Sequence, residues 1–531
     1  MSAMTTSRCL SSVAMGVLVL ASLAVPGSAF GALPNEALLC PEEPPQQDRY
    51  TYFRSLSLQL RGILPTDAEY AALEAHDDVS DAMINDLLNS SEFADQVVRF
   101  HQSLLWNRLN TQLINAGFSL RREGGTLLYW RIQTATNYRG DDVPCADTPV
   151  SYDTQTGAIL TEEIDGVHYE GYRLISPYWD PENTIKVCAF DAQEAEVGLS
   201  GVPCNTITGR QDPSCGCGEN LRYCRYGSAH DAVIQAMGKD VDMRIQSMIL
   251  QDEPYTALFE SSRAYVNGPL THYLKHRTKV PATVRMEPLP FNTYVLPELE
   301  WGDQDTWVEI DLPKEHAGIL TSPAYLLRFQ TDRARATRFY DAFLCQPFTP
   351  PAAGLPLEED DSPHPDLQKR AGCKYCHALL EPAAAHWGRW TENGAGYLKP
   401  EDYPVVREDC LQCAYDGVAC STDCNLYYQN EVLSPEEIPY LGHLKAYVFR
   451  REDHMAHVEA GPSYLVNRNL MDGDLPLCVS ARAVHWLMGR EAHEDEAEWI
   501  ELLASEFAAS GYRYKALIKA IVQSETYRRV R

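Results

Sequence analysis

Helical periodicity runs through most of the chain and is interrupted twice by stretches of different texture. After a proline-rich "CPEEPPQQD", residues Thr66-Asp67-Ala68-Glu69 have the spacing of a capping box. In such a box the threonine hydroxyl accepts an early helix amide and the glutamate three residues on reaches back. In "AMINDLLNSSEFADQVVRFHQSLLW", Phe93, Val97, Phe100, Leu104 and Leu105 fall on one helical stripe and predict core positions. The period returns in "HDAVIQAMGKDVDMRIQSMILQDEPYTALFESS" and "GPLTHYLKH". Ser322-Pro323 predicts a further helix, with serine as N-cap and proline at the first helical position, running to Cys345. Two last helices, "EDEAEWIELLASEFAASG" and "YRYKALIKAIVQSETYRR", are separated by Gly511 as a C-terminal stop.

The first interruption spans Gln112 to Gly227. Turn residues are frequent there, and "TGAILTEEIDGVHYEGYRL" predicts a hairpin. Six cysteines (Cys145, Cys188, Cys204, Cys215, Cys217 and Cys224) predict an irregular insert closed by disulfides, because loops without their own core need covalent closure. A metal site at Cys215-Gly216-Cys217 is the lesser option. The second interruption carries Cys410, Cys413, Cys420 and Cys424. Between the two, "TVRMEPLPFNTYVLPELEWGDQDTWVEIDL" predicts a β-rich passage. "QPFTPPAAGLPLEEDDSPHPD" is a linker, too rich in proline and acid to form a core.

The fold class predicted is therefore mainly α, a multi-module helical protein with a disulfide-rich irregular/β insert. The boundaries fall at 1–29 for a signal peptide, 48–111 for an N-terminal helical module and 112–228 for the Cys-rich insert. A helical module with the β-rich passage follows at 229–346, then the linker at 347–366. The remaining units are a C-x-x-C-H module at 367–400, a second Cys-rich insert at 401–445 and a C-terminal helical module at 446–531. No internal repeat of fixed period is present. The signal peptide rests on Arg8, an apolar run from Val13 to Val25 too short to span a bilayer, and the small residues Gly27-Ser28-Ala29. It predicts a periplasmic or extracellular protein, and no later segment is apolar for long enough to be transmembrane.

Charge and cysteine content narrow the classes. Lys and Arg number 45 against 74 Asp and Glu, a formal net charge of −29, which argues against nucleic acid or an anionic membrane surface. The acids are spread along the chain and predict a solvated acidic surface, with a docking face for a basic protein as the sharper reading. Sixteen cysteines fit an oxidising compartment. Cys9 leaves with the signal, so the remainder is odd whether or not two more carry a cofactor.

One motif carries chemistry plainly. Cys373-Lys374-Tyr375-Cys376-His377 is a C-x-x-C-H: two thiols spaced to form thioethers with the two haem vinyl groups, and an imidazole that reaches the iron from the same turn. The export signal agrees, since c-type haem is attached outside the cytoplasm. The Ala- and Leu-rich "HALLEPAAAHW" that follows could run as a helix beside a macrocycle. Two other readings stay open: a four-thiolate zinc site formed with Cys410 and Cys413, and disulfides throughout. For a second axial ligand the candidates are Met455 first, then His454, His457, Met471 and Met488; His386 is expected on the same side of the iron as His377. Arg333, Arg335 and Arg338 are candidates to pair with haem propionates. His272 and His276, spaced i, i+4, could chelate a metal on a helix. There is no nucleophile elbow, no H-E-x-x-H, no phosphate-binding loop and no dinucleotide fingerprint.

Several segments together resemble secreted bacterial proteins of the planctomycete-cytochrome type, which are common in planctomycetes and myxobacteria. They are "YFRSLSLQLRGILPTDAEYAALE" with "DLLNSSEFADQVVRFHQSLLW", "MILQDEPYTALFESSRAYVNGPL", "HAGILTSPAYLLRFQTDRARATRFYDAFLC" with the C-x-x-C-H after it, and "LCVSARAVHWLMGRE" through "FAASGYRYKALIKAIVQSETYRR". These stretches cover about half of the chain. The resemblance implies a mostly helical exported protein of otherwise unknown function, with a cytochrome c-like module in which Cys373, Cys376 and His377 hold one covalent haem c. The regions around Cys145–Cys224 and Cys410–Cys424 depart from that pattern. Electron transfer to an unidentified redox partner is the activity expected, with an envelope structural or binding protein, held by disulfides or zinc, as the alternative.

Overall fold

The computed structural model describes residues 46–110, 118–131, 145–280, 286–349, 354, 364, 366–445 and 452–529. The signal segment and most of the 347–366 linker lie outside these residues, as do Cys9 and Cys40. About half of the structure is helical, with a small mixed sheet and several disulfides.

Four helices open the chain: α1 (Arg49–Arg61), α2 (Asp67–Glu74), α3 (Asp81–Leu88) and α4 (Ser91–Leu105). Each begins at a side-chain cap, Asp48, Thr66, Ser80 and Ser90 in turn, and the Thr66/Glu69 box closes in both directions. Further along come α5 (Ala229–Leu250), α6 (Ala257–Glu260), α7 (Gly268–His276), α8 (Pro323–Arg328), α9 (Asp332–Leu344) and α10 (Lys374–Ala384). Then follow α11 (Glu408–Asp416), α12 (Thr422–Tyr427), α13 (Glu452–Met471), α14 (Asp474–Met488), α15 (Ala497–Ala509) and α16 (Tyr514–Gln523).

One large core joins helices from the two ends and the middle of the chain, from Tyr52 to Tyr527. The Tyr52 hydroxyl donates to the Val522 carbonyl at 2.8 Å, and Arg528 pairs with Asp78 at 2.7 Å, so the first and last helices close against each other. The predicted stripe of α4 is buried apart from the half-buried Phe100, which stacks on Trp486 at 5.0 Å. Gly511, just past the Ser510 cap of α15, takes φ 73°, a left-handed conformation that glycine adopts freely.

The two cysteine-rich inserts sit outside this core on small clusters of their own. The first contains strands β1 (Leu120–Arg122), β2 (Leu128–Arg131), β3 (Cys145–Pro149), β4 (Ser151–Tyr152), β5 (Ile159–Leu160), β6 (Glu162–Ile164), β7 (Val167–Ile175) and β8 (Ile185–Cys188). Its sheet runs β1-β2-β8-β7-β3, with β6 turning back on β7. The predicted hairpin is this β6–β7 pair, with Ile164 opposite Val167 and both Asp165 and Gly166 at positive φ, the two-residue turn that Asp-Gly favours. Disulfides Cys204–Cys215 and Cys217–Cys224 close the insert, so the Cys215-Gly216-Cys217 thiols are not metal ligands. The second insert, with α11 and α12, is closed by Cys410–Cys424 and Cys413–Cys420. A long-range disulfide, Cys345–Cys478, ties the end of α9 to α14.

Two elements differ from expectation. The passage predicted as β-rich yields, from residue 286 on, only one strand, β10 (Val308–Asp311), paired with β9 (Arg263–Val266). Pro288, Pro290 and Pro297 remove the amide donors that a longer ladder would need. The helix predicted from Ser322 to Cys345 is broken in two. Ser322 caps α8 as expected, but Thr331 caps a second start at α9, and the interruption frees the Phe329 carbonyl for a side chain described below. Among the described residues no helix is long and apolar enough to cross a membrane.

Two expectations follow. Burial holds several histidines neutral, with His101 pushed down to about 4 and His316 and His386 to about 3. Unfolding lets these rings take up protons near pH 6.5, whereas the folded protein resists until far lower pH. Stability is therefore full above about pH 6.5 and falls as pH drops toward 3–4, visible as a falling Tm over that window. Separately, the Cys145 and Cys188 thiols interact beside Gly171 on β7: the Cys145 Sγ lies 3.7 Å from the Gly171 carbonyl oxygen, and Cys145 is the first cause that pushes the Cys188 thiol up. Non-reducing peptide mapping of protein from an oxidising compartment is expected to return a Cys145–Cys188 linked peptide; two alkylatable thiols there would contradict it.

Candidate functional site

Gly372, at φ 77°, turns the chain into α10, so that Cys373, Cys376 and His377 occupy its first turn. Their 0, +3, +4 spacing puts them on one side of the helix, the side continued by the buried Leu380, Glu381 and Ala384. Tyr375 and Leu379 lie on the opposite, exposed side. The three motif residues are half-buried.

His377 is oriented by a buried carboxylate. Its Nδ1 lies 2.5 Å from Glu381 Oε1, one helical turn on, and Arg333 Nε of α9 donates to the same oxygen at 2.8 Å. Glu381 is only 1% exposed. A carboxylate paired with a guanidinium is an acceptor, so Nδ1 of His377 donates to it and Nε2 is the ring nitrogen that Glu381 does not engage.

The thiols are accounted for in pairs. Ten described cysteines form five disulfides; Cys145, Cys188, Cys373 and Cys376 do not. A zinc site combining Cys373 and Cys376 with Cys410 and Cys413 is not built, because Cys410 and Cys413 are bonded to Cys424 and Cys420. Among the described residues one group of three potential metal ligands converges, Asp409 with Cys410 and Cys424, and its two sulfurs are bonded to each other. Cys373, Cys376 and His377 do not form such a converging group.

The three arginines considered for propionates have other work. Arg333 holds Glu381. Arg335 is fully buried and places all five N–H donors: Nε on the Phe329 carbonyl, Nη1 on Asp332 and the Trp390 carbonyl, Nη2 on the Thr391 and Gly394 carbonyls, at 2.8 to 3.1 Å. This stitches α9 to the loop that follows the α10 segment. Arg338 donates to the Leu104 carbonyl at 3.1 Å and to Asp341, and lies 3.6 Å from the ring centre of Trp106, clamping the end of α4.

On its other side α10 is covered by α13, which kinks at Gly461-Pro462. His386, in the turn after α10, bonds through Nδ1 to the Gly461 carbonyl at 2.9 Å. His457 bonds through Nδ1 to the Pro382 carbonyl at 2.9 Å, and the two rings stack with centroids 4.4 Å apart. This reciprocal latch fixes α13 on α10. His454 is buried and Met455 half-buried in the first turn of α13; burial holds His454 down to about 4. Of the other methionine candidates, Met471 is exposed at the far end of α13 and Met488 packs in the main core. His272 and His276 are not a chelating pair: His272 Nε2 bonds the Arg222 carbonyl at 3.1 Å, and its ring stacks on Tyr178 at 3.9 Å. Beside the latch opens a cleft of about 740 Å³, bordered by His386, Trp390, Tyr397 and the Arg389–Glu459 ion pair.

No family model, no curated protein and no solved structure matches the chain.

Sequence reasoning passed over Glu381. The signal was present, since a carboxylate four residues after a helical histidine shares its face. Arg335→Ala is expected to cost at least about 3 kcal/mol, because it leaves Asp332 and four carbonyls unsatisfied in a dry interior. Arg335→Lys keeps the charge, loses the fork and falls between. Denaturant unfolding measures both; a loss below about 1 kcal/mol for Arg335→Ala would contradict the role assigned to it.

Proposed function

We propose that the chain is an exported c-type haem protein that carries single electrons, with one haem held by thioethers from Cys373 and Cys376 and by His377 as an axial ligand. The observation that carries this reading is the state of the motif. Two thiols outside the disulfide network share one helical face with an imidazole whose Nδ1 is tied down and whose Nε2 is available. The group would supply a one-electron iron couple. Everything else falls to the chain: Cys373 and Cys376 would fix the ring to the first turn of α10 and His377 would present Nε2, on a helix held against α13 by the His386 and His457 latch. Met455 is the first candidate for a second iron ligand, and its thioether would favour a higher potential than an imidazole.

The same reading places the protein outside the cytoplasm, consistent with five disulfides and with the N-terminal sequence. A net charge of −29 suits a basic redox partner drawn in electrostatically. The likeness to planctomycete-cytochrome-type proteins belongs to this proposal, as does the description of residues 367–400 as a cytochrome c-like module. The alternative, an envelope structural or binding protein, predicts that Cys373 and Cys376 close into a disulfide with each other.

The test is a pyridine haemochrome spectrum of protein exported from cells with haem-attachment machinery, beside the Cys373→Ala/Cys376→Ala double variant. A c-type α-band in the wild type that disappears in the variant is expected. A colourless wild type with a Cys373–Cys376 disulfide on peptide mapping would instead establish the alternative.

A further inference from the structure

We infer that Glu381 is a positioning residue that sets the donor strength of His377, so that the Arg333–Glu381–His377 chain holds the haem potential low. The inference rests on the haem reading above.

Three observations support it. The carboxylate and the imidazole sit one turn apart on α10, where Leu380, Ala383 and Ala384 are packed in the core, so their separation is fixed by the helix rather than by a mobile side chain. Arg333, on a second helix, pairs with the same Oε1 that faces His377, and the guanidinium compensates the buried carboxylate's charge. Glu381 Oε2 has no hydrogen-bond donor among the described residues, so both of the carboxylate's hydrogen bonds, from Arg333 and with His377, fall on Oε1.

The chemistry follows from the hydrogen bond. An imidazole whose Nδ1–H faces an uncharged backbone carbonyl is a moderate donor through Nε2. Facing the carboxylate oxygen that Arg333 also binds, the Nδ1–H bond is more strongly polarised than it would be on a carbonyl, and electron density shifts to Nε2. A stronger Nε2 donor stabilises ferric iron more than ferrous iron, which lowers the reduction potential. The same bond selects the Nδ1–H tautomer before any iron is present. Arg333 acts only through Glu381, which explains why one member of the α9 arginine row turns toward the motif while Arg335 and Arg338 do not.

Glu381→Gln separates this role from simple packing, because the amide fills the same space and removes only the charge. On the haem-loaded fraction, the variant is expected to shift the ferric-to-ferrous equilibrium toward ferrous iron by tenfold or more. For one electron this raises the midpoint potential by about 59 mV or more. The iron–histidine stretching frequency of the ferrous form is expected to fall with it. Glu381→Asp keeps the charge at shorter reach and gives an intermediate potential, and serves if the glutamine variant does not accumulate. A haem-independent arm uses the Cys373→Ala/Cys376→Ala protein labelled at histidine nitrogens. His377 is expected as the Nδ1–H tautomer there and as mainly Nε2–H once Glu381→Ala is added. Haem-loaded Glu381→Gln with an unmoved potential and stretching frequency would overturn the role of Glu381 while leaving the cytochrome reading intact. A wild-type protein that takes no haem overturns the cytochrome reading itself, and the tautomer measurement then decides separately whether Glu381 holds the ring.

Discussion

A guanidinium with no water around it must find a partner for each of its five N–H groups, and Arg335 finds them all within the protein. Meeting that demand fixes much of the centre of the molecule. The Phe329 carbonyl is available only because the helix breaks between α8 and α9. The carbonyls of Trp390, Thr391 and Gly394 are available only because the loop after α10 folds back across α9. Burying an unpaired charge would cost several kcal/mol, so these segments are specified together. Arg333, two residues earlier on the same helix, meets Glu381 in a position that this arrangement sets, and His377 takes its orientation from Glu381 in turn.

Two kinds of adhesion hold the rest. Where helices are long enough to carry a continuous apolar face, burial suffices, and segments from both ends of the chain merge into one core. The inserts have few buried residues each and rely on short-loop disulfides. Polar latches do finer work at the contact between α10 and α13. Two stacked histidines each give a ring nitrogen to a carbonyl of the opposite segment, and one of those carbonyls, that of Gly461, lies at the α13 kink.

Local signals in the sequence translated well, because the physics they encode is local. The Thr66/Glu69 box, the Ser322 cap, the Asp165-Gly166 turn and the Gly511 stop each depend on a handful of neighbouring atoms, and all are present in the structure. Long-range partners were not legible. No spacing rule says that Cys345 pairs with Cys478, or that of Arg333, Arg335 and Arg338 only the first reaches the C-x-x-C-H helix; both depend on which helices pack together. The passage from residue 286 to 312 misled because its aromatic and β-branched residues favour strand while its prolines deny the ladder. At the site, the three motif residues are readable as a set, whereas the carboxylate that orients the histidine sits inside the Ala- and Leu-rich run that reads as a helix beside a macrocycle.

The Cys345–Cys478 bond encloses the C-x-x-C-H segment in a covalent ring that closes late. A chain delivered N-terminus first presents Cys345 followed by Cys373 and Cys376, while the native partner of Cys345 arrives 133 residues behind it. Until then the nearest downstream thiols are the two of the motif. Order of arrival thus opposes the native pairing. A bond from Cys345 to either motif cysteine has to be undone by thiol–disulfide exchange before the native ring can close, so the last helices to arrive complete the covalent frame around the motif.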